Sequence, residues 1–197
     1  MIAKTKIEKG AILKIVKELE NKYNSNTLSI ELGVSRVGTF KALKELENKG
    51  LLKGKTLGKA RFYTVDLNDE YTRKNVDILL MEEARKYQRW VDEFKELFDH
   101  VKIAVLFGSI TKNEDQANDI DLLLVYDIKN SKKVNSIIKE KNEILIKRVH
   151  PIKQTMDDLK NNIKKKDKVI LNAIKEGVVL YGFEELLGVI KNVASRE

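Results

Sequence analysis

The chain has 197 residues, enough for one or two domains, and its 42% of apolar residues suffices for ordinary cores. No apolar run approaches the ~20 residues of a membrane-spanning helix, and the lack of cysteine excludes disulfides and thiolate metal sites. We therefore expect a cytoplasmic protein with no membrane partner. Residues 1–65 hold 14 Lys and Arg against 6 Asp and Glu, so the whole net charge of +8 lies there. This asymmetry predicts a polyanion partner for the first third of the chain.

The first third carries the signals of several helices followed by a hairpin. Apolar residues at helical spacing predict a first helix within residues 8–23 and a second over residues 27–32. Ser35 is placed to cap a third helix, which Gly50 ends. The residues of this helix predicted to face inward are Phe40, Leu43 and Leu46. The two strands predicted after it are residues 51–56 and 60–65.

Residues 8–65 resemble the winged helix-turn-helix family. The resemblance rests on the order helix, helix, turn, helix, hairpin and on the segment LSIELGVSRVGTFKALKELENKGLL. The resemblance implies that the third helix enters the major groove of DNA while the hairpin, or wing, contacts phosphates. The third-helix residues expected to face DNA are Ser35, Arg36, Thr39 and Lys41. The wing residues expected to contact phosphate are Lys53, Lys55, Lys59 and Arg61. An ordinary solvated lysine surface and binding of protein or RNA are the alternatives.

Residues 69–98 are predicted to form one helix of ~30 residues, about 45 Å long, because they contain no Pro or Gly. Their apolar stripe follows spacings of three and four, close to a heptad seam. The stripe consists of Val76, Leu80, Ala84, Tyr87, Val91, Phe94 and Phe98. It can be buried against the C-terminal part of the same chain or against a second copy. A homodimer is the favoured alternative because it pairs two winged helices. Trp90 is predicted to lie in a core.

Residues 101–127 (VKIAVLFGSITKNEDQANDIDLLLVYD) contain two apolar runs that predict buried strands, the second preceded by Asp119 and Asp121. Alternate residues of a strand share a face, so these two carboxylates are expected side by side. Adjacent carboxylates repel unless a cation lies between them, and oxygen ligands suit Mg²⁺ or Mn²⁺. Gly108 lets a phosphate approach the backbone, and the Ser109 hydroxyl can donate to it. The pattern predicts a site for a metal-bound triphosphate.

Gly-Ser, a polar loop and Asp-Ile-Asp-Leu-Leu resemble the signature of the polymerase-β-like nucleotidyltransferases, particularly their small "minimal" members, over about residues 100–182. The resemblance implies that Gly108 and Ser109 bind nucleotide phosphate and that Asp119 and Asp121 bind the metal and carry the catalysis. The family often supplies a third carboxylate from a later strand. The predicted strand here, residues 144–152, has none. The residues at its polar positions are Lys147, Arg148 and His150. His150 is predicted to be structural or at the surface, with contact to the nucleotide as an alternative. The alternative to metal binding is that Asp119 caps the loop and Asp121 pairs with a lysine such as Lys147.

The remaining segments predict a helix over residues 131–142, a helix headed by Thr155, a strand over residues 178–181 and a final helix from Phe183. Asp157 and Asp158 lie in the first turn of the helix after Thr155. Their negative charges are expected to stabilise the positive N-terminal end of that helix rather than to bind metal.

The predicted fold is α+β, with a winged helix, a long linker helix and a nucleotidyltransferase-like mixed sheet with flanking helices. The predicted domains are residues 1–66 (winged helix-turn-helix), 67–99 (helical linker and dimerisation segment) and 100–197 (nucleotidyltransferase-like).

We predict a DNA-binding transcription regulator whose last domain binds a nucleoside triphosphate with Mg²⁺ (or Mn²⁺). The alternative is an active minimal nucleotidyltransferase that modifies a protein, as in toxin–antitoxin pairs, or a small molecule. Enzymatic activity stays open because the carboxylate set is incomplete. The expected partners are double-stranded DNA, a nucleotide and a second copy, with a toxin as a further candidate.

Overall fold

The computed structural model describes residues 3–194 of the chain. The chain divides into two compact units, Met1–Leu79 and Leu80–Glu197, so the predicted linker segment is shared between them. Within residues 3–194, no helix has the length and apolar character that crossing a bilayer requires. The elements up to the unit boundary are α1 (Lys6–Lys17), β1 (Tyr23–Asn24), α2 (Ser25–Leu32), α3 (Arg36–Asn48), β2 (Leu52–Leu57), β3 (Ala60–Val65) and α4 (Glu70–Arg85), which contains the boundary.

The first unit has the element order and hairpin of a winged helix, as predicted. Ser35 caps α3 as expected, because its hydroxyl accepts a hydrogen bond from the N–H of Gly38 at 3.1 Å. The strands β2 and β3 form an antiparallel wing with a two-residue turn between Leu57 and Ala60, where Gly58 has a φ of +58°. The first helix is shorter than predicted. It ends at Lys17, and Tyr23 instead lies in β1, which pairs with β3.

A capping box at the start of α1 connects the first helix to the third. Thr5 and Glu8 exchange hydrogen bonds, and the buried Glu8 carboxylate also accepts from the Lys49 ammonium at 2.9 Å. Burial alone would raise the pKa of Glu8. The hydrogen bonds from Lys49 and from the N–H groups of Thr5 and Lys4 outweigh burial and hold that pKa below its ordinary value of 4.5. The ionised form therefore stabilises the folded state above pH 4.5, and this contribution is lost as the pH falls through the lowered pKa.

We expect Glu8→Gln to lower the free energy of unfolding at pH 7 by about 2–3 kcal/mol, because it leaves Lys49 with a weaker partner. The loss should shrink towards zero as the pH falls through the lowered pKa of Glu8, because the wild-type carboxyl then becomes protonated as well. Denaturant unfolding over a series of pH values from 7 downwards measures the difference. Glu45→Gln is the control, since Glu45 is 55% exposed and contacts the same ammonium at 3.4 Å, and it should cost less than about 0.5 kcal/mol. Equal losses in the two variants would contradict the role given to Glu8.

The predicted long helix is interrupted, which corrects the expectation of one continuous rod. After α4, the N–H groups of Lys86 and Tyr87 bond three residues back, to Glu83 and Ala84, in a tight turn. The chain continues as α5 (Gln88–Phe94) and a short 3₁₀ turn. At the turn, the Tyr87 hydroxyl donates to the carbonyl of Thr111 at 3.0 Å. Helical spacing carries no information about this long-range contact, and no Pro or Gly marks the interruption.

The second unit is built on a four-stranded mixed sheet in the order β6-β5-β4-β7. Its middle strands pair antiparallel, and β6 is parallel to β5. The elements after α5 are β4 (Ile103–Phe107), β5 (Asp119–Val125), α6 (Ser131–Ile144), β6 (Arg148–Gln154), α7 (Met156–Lys164), α8 (Lys168–Glu176), β7 (Val178–Tyr181) and α9 (Phe183–Ala194). The predicted strand from Ile144 begins later, at Arg148, because α6 extends through Ile144.

The large apolar residues of α5 and of the 3₁₀ turn after it are buried within their own unit. Trp90, Phe94 and Leu97 belong to a cluster that also includes Leu122 and Leu124 of β5. Trp90 is 3% exposed, so its predicted place in a core is confirmed. For these residues the first alternative holds, burial against the same chain, and the stripe is not a continuous seam for a second copy. The homodimer therefore stays a prediction.

Candidate functional site

The outward face of α3 differs from the predicted one by a small rotation of the helix. Thr39 is fully buried and its hydroxyl donates to the carbonyl of Ser35 at 3.1 Å, so it does not face solvent. Phe40, predicted to face inward, is 50% exposed. Leu43 and Leu46 are buried as expected. Thr39, Leu43 and Leu46 face the core, so Phe40, the residue after Thr39, faces away from it.

The predicted DNA-facing cations divide into two groups. Arg36, Lys41, Lys55 and Lys59 are exposed, and within residues 3–194 none of these four pairs with an acidic side chain. Lys53 instead forms an ion pair with Asp66, and Arg61 donates to both oxygens of Glu47. The side-chain hydrogen bond from Arg61 lowers the pKa of Glu47, so that partner stays ionised at neutral pH. Lys53 and Arg61 are therefore paired within the fold, and the first group supplies the free positive charge.

A groove of about 700 Å³ lies between α3 and the wing. Arg36, Val37 and Phe40 line it from α3, and Lys59 and Arg61 line it from the wing. Val37 is 65% exposed, so two apolar side chains lie in the open beside cations. Sequence reasoning did not include Val37, and it placed Phe40 inside. The sequence signal for both was their place between Arg36 and Lys41, in the first turns of the third helix.

The two aspartates lie where β5 emerges from the core of the second unit. The even-numbered residues of β5, such as Leu122 and Leu124, belong to the buried cluster on one face. Asp119 and Asp121 therefore share the opposite face, as predicted. Asp121 is paired in register with Phe107 of β4 on one side and with His150 of β6 on the other. The carboxylates thus lie beside the point where β4 ends.

Gly108 makes room for the Asp121 carboxylate. Its φ of +80° and ψ of −157° fall in a region that is essentially restricted to glycine. A Cβ atom at this position would lie 2.1 Å from Oδ2 of Asp121. The next residue, Ser109, is exposed and opens a 3₁₀ turn over Ser109–Thr111. The structure therefore brings together all four residues predicted for the nucleotide and the metal, namely Gly108, Ser109, Asp119 and Asp121.

His150 is a further functional candidate beside the two aspartates. Its Nδ1 lies 3.2 Å from Oδ2 of Asp119, and ligand atoms of Asp119, Asp121 and His150 all lie within 4.8 Å of one another. His150 is exposed, as expected for a surface residue, and its place beside both aspartates makes it a further candidate for the site. The signal was its place at an alternate polar position of the strand, but the parallel register that sets it beside Asp121 is a long-range feature.

Lys147 does not neutralise the aspartates. Its ammonium donates to the backbone carbonyls of Glu114 and Ala117, in the loop before β5. Arg89 pairs with the Glu114 side chain and adds a second support to that loop. Within residues 3–194, no lysine or arginine forms an ion pair with Asp119 or Asp121. Lysine pairing, the alternative to metal binding, is not what the structure shows.

The electrostatics of the pair fit the binding of a cation. Burial raises the pKa of the Asp121 carboxyl, and the negative charge of Asp119 raises it further, while His150 acts in the opposite direction. A divalent cation beside the Asp121 carboxyl would favour its ionised form. Two carboxylates and an imidazole are ligands that divalent metal ions use in proteins. The donor set therefore fits the metal expected for the site.

Comparisons with known proteins bear on the second unit. Residues 90–185, just under half of the chain, match the family model described as Polymerase beta, Nucleotidyltransferase. None of the curated proteins matches the chain. A solved structure, the adhesin competence repressor (AdcR) from Streptococcus pyogenes, is 11% identical, with 71% of this chain and 80% of that chain covered, at a TM-score of 0.36. That likeness is too low to support a conclusion. Residues 90–185 are a nucleotidyltransferase-like domain. They contain the two aspartates and His150 together with the neighbouring Gly108 and Ser109, and we call these five residues the metal centre.

Proposed function

We propose that this chain is a DNA-binding transcription regulator whose second unit binds a nucleoside triphosphate together with Mg²⁺ or Mn²⁺. The observation that carries the DNA part is the placement of the free cations. Arg36 and Lys41 on α3, and Lys55 and Lys59 on the wing, are exposed in the part of the chain that holds the net charge of +8. Double-stranded DNA presents about one negative charge per 1.7 Å of helix axis, and such a surface neutralises several of them.

The groove beside α3 supports the same proposal. In winged-helix proteins the first turns of the third helix lie in the major groove, where base edges are read. Arg36 is suited to guanine, and the exposed Val37 and Phe40 are suited to apolar contact with thymine methyl groups. Lys55 and Lys59 are placed to contact phosphates, which position the protein without reading sequence. Ser35 caps the helix at the entry point.

We expect Arg36→Gln combined with Lys59→Gln to weaken DNA binding at least about tenfold at 0.1–0.2 M salt, because two phosphate or base contacts are lost. The slope of log affinity against log salt should fall by about 1 to 2. Fluorescence anisotropy with a labelled duplex, measured over a range of salt concentrations, gives both quantities.

The control is Lys164→Gln combined with Lys165→Gln, which removes the same charge from exposed positions of the second unit. This variant should retain nearly full affinity. An equal loss of affinity in both double variants would mean that only net charge matters, and an unchanged salt slope in the Arg36 and Lys59 variant would contradict the proposed interface.

For the nucleotide part, the proposal gives a role to four residues of the metal centre. Asp119 and Asp121 hold the divalent ion, Gly108 leaves space for the carboxylate and the approaching phosphate, and the Ser109 hydroxyl donates to a phosphate oxygen. The support is the arrangement itself, since the Gly108–Ser109 corner and the two aspartates of the next strand meet at the end of β4. The ion, when bound, neutralises charge on the phosphate groups.

Nucleotidyl transfer to a protein, as in toxin–antitoxin pairs, or to a small molecule is a second candidate function. The observation that favours it is the pair of adjacent carboxylates beside the open Gly108–Ser109 corner. This arrangement can orient a triphosphate so that an acceptor hydroxyl attacks its α-phosphorus and pyrophosphate leaves. The residue beside the pair is an imidazole where the family often has a carboxylate. Incubation with α-labelled ATP and Mn²⁺, with DNA, lysate or the protein itself as acceptor, tests this function. If no acceptor retains the label, nucleotidyl transfer is contradicted and only the regulator function remains.

The homodimer and the cytoplasmic location also belong to the proposal. Two copies of the winged helix would match a two-fold symmetric DNA site. Light scattering coupled to size-exclusion chromatography measures the mass directly. A mass near 22.7 kDa, that of one chain, at micromolar concentration would contradict the dimer.

A further inference from the structure

We propose that His150 is a third ligand of the divalent ion and that it makes the site prefer Mn²⁺ and related first-row transition metals over Mg²⁺. The inference rests on the proposed function, because it requires Asp119 and Asp121 to hold an ion. It goes further by naming the third ligand and the class of metal. The parallel pairing of β5 and β6 sets His150 directly opposite Asp121, so backbone register brings the ring to the site.

The distances agree with coordination of one ion. Two atoms in adjacent coordination positions at about 2.1 Å from a metal are about 3 Å apart. Nδ1 of His150 and Oδ2 of Asp119 are 3.2 Å apart, and all three ligand atoms lie within 4.8 Å of one another. The same 3.2 Å also fits a hydrogen bond from His150 to Asp119. A decisive experiment must therefore detect a bond between nitrogen and metal.

The chemistry of the third ligand decides the class of ion. Mg²⁺ is a hard ion that binds oxygen ligands and keeps several of its waters, whereas first-row transition ions accept a nitrogen ligand more readily, with an affinity that rises from Mn²⁺ to the later metals. A carboxylate at position 150 would add a negative charge and an oxygen, and would favour Mg²⁺. His150 supplies a nitrogen and no negative charge. Its side chain is 51% exposed, so substitutions there are compatible with folding.

The experiment is an electron paramagnetic resonance titration of Mn²⁺ with four proteins: wild type, His150→Ala, His150→Asp and the control His100→Ala. His100 precedes β4, at the opposite end of that strand from Gly108. We expect His150→Ala to weaken Mn²⁺ binding at least about tenfold and to change Mg²⁺ binding less than about threefold. In His150→Asp, Mg²⁺ should displace Mn²⁺ at a concentration about tenfold lower than in wild type. His100→Ala should behave as wild type.

Electron spin echo modulation gives the direct readout. Mn²⁺ bound to wild type should show coupling to a nitrogen-14 nucleus, and the coupling should disappear in His150→Ala. Bound Mn²⁺ without nitrogen coupling, or equal losses of Mn²⁺ and Mg²⁺ affinity in His150→Ala, would overturn the role of His150 and leave the metal–nucleotide function standing. If wild type binds neither Mn²⁺ nor Mg²⁺, with or without ATP, both this inference and the proposed function of the second unit fail.

Discussion

Replacing Asp119 and Asp121 together by asparagine is expected to abolish metal-dependent nucleotide binding, with a loss of affinity of more than about 100-fold. Asparagine keeps the shape of each side chain but removes the charges that hold the ion. Isothermal titration with ATP in the presence of Mg²⁺ or Mn²⁺ measures the loss. DNA binding, which the proposal assigns to the first unit, should stay within about twofold of wild type.

The same substitution should leave the folded state intact or slightly more stable. The pKa of Asp121 is raised in the folded protein, so its ionised form opposes folding once the pH rises above its ordinary value of 3.8. Removing that charge should therefore raise stability at pH 7, by no more than about 1 kcal/mol because the site is open to solvent. Such a gain is typical of residues kept for function rather than stability.

The charge-matched control is Asp99→Asn combined with Asp157→Asn, two exposed aspartates outside the site. This variant should bind nucleotide as wild type does. Nucleotide affinity that stays metal-dependent and unchanged in the Asp119 and Asp121 variant would refute the metal centre. A loss of affinity accompanied by lower stability would instead indicate that the pair supports the fold.

Local patterns were sufficient to predict most of the fold. The bounds of β4 and β7 and the start of α9 agree with prediction because the apolar runs of both strands end at glycines. The predicted apolar run of β5 also lies in a strand, which begins earlier, at Asp119. Ser35 and Thr155 cap helices as expected, since a cap is a hydrogen bond within four residues of sequence. The pair Asp119 and Asp121 was predictable for the same reason, because alternate residues of one strand share a face.

The features that sequence reasoning missed depend on contacts between distant segments. His150 reaches Asp119 only because β6 is parallel to β5 in one particular register. The helix turns at Tyr87 where its hydroxyl contacts the carbonyl of Thr111, which is 24 residues away. Thr39 and Phe40 exchanged their predicted environments because the direction of the core around α3 is set by neighbouring elements. A helical pattern defines a face only to within about one residue.

Gly108→Ala is expected to lower the stability of the second unit by about 2–4 kcal/mol and to destroy the metal centre. Part of the loss, about 1–3 kcal/mol, comes from a backbone conformation that only glycine adopts readily. The remainder comes from the new methyl group, which would lie 2.1 Å from Oδ2 of Asp121 and 3.1 Å from its Cγ. Relief of that contact requires the carboxylate to turn away. Thermal unfolding and Mn²⁺ binding, measured well below the transition, report the two effects separately.

Two other glycines separate backbone strain from contact. Gly58 in the wing has a φ of +58° with nothing within 4 Å of an added Cβ, so Gly58→Ala should show strain alone, about 1 kcal/mol. Gly188 lies in α9, also with nothing within 4 Å, and Gly188→Ala should stabilise the protein by about 0.5–1 kcal/mol. Both controls should bind Mn²⁺ as wild type does. If Gly108→Ala lowers stability but keeps full Mn²⁺ affinity, then metal binding does not require the Asp121 carboxylate to lie against Gly108.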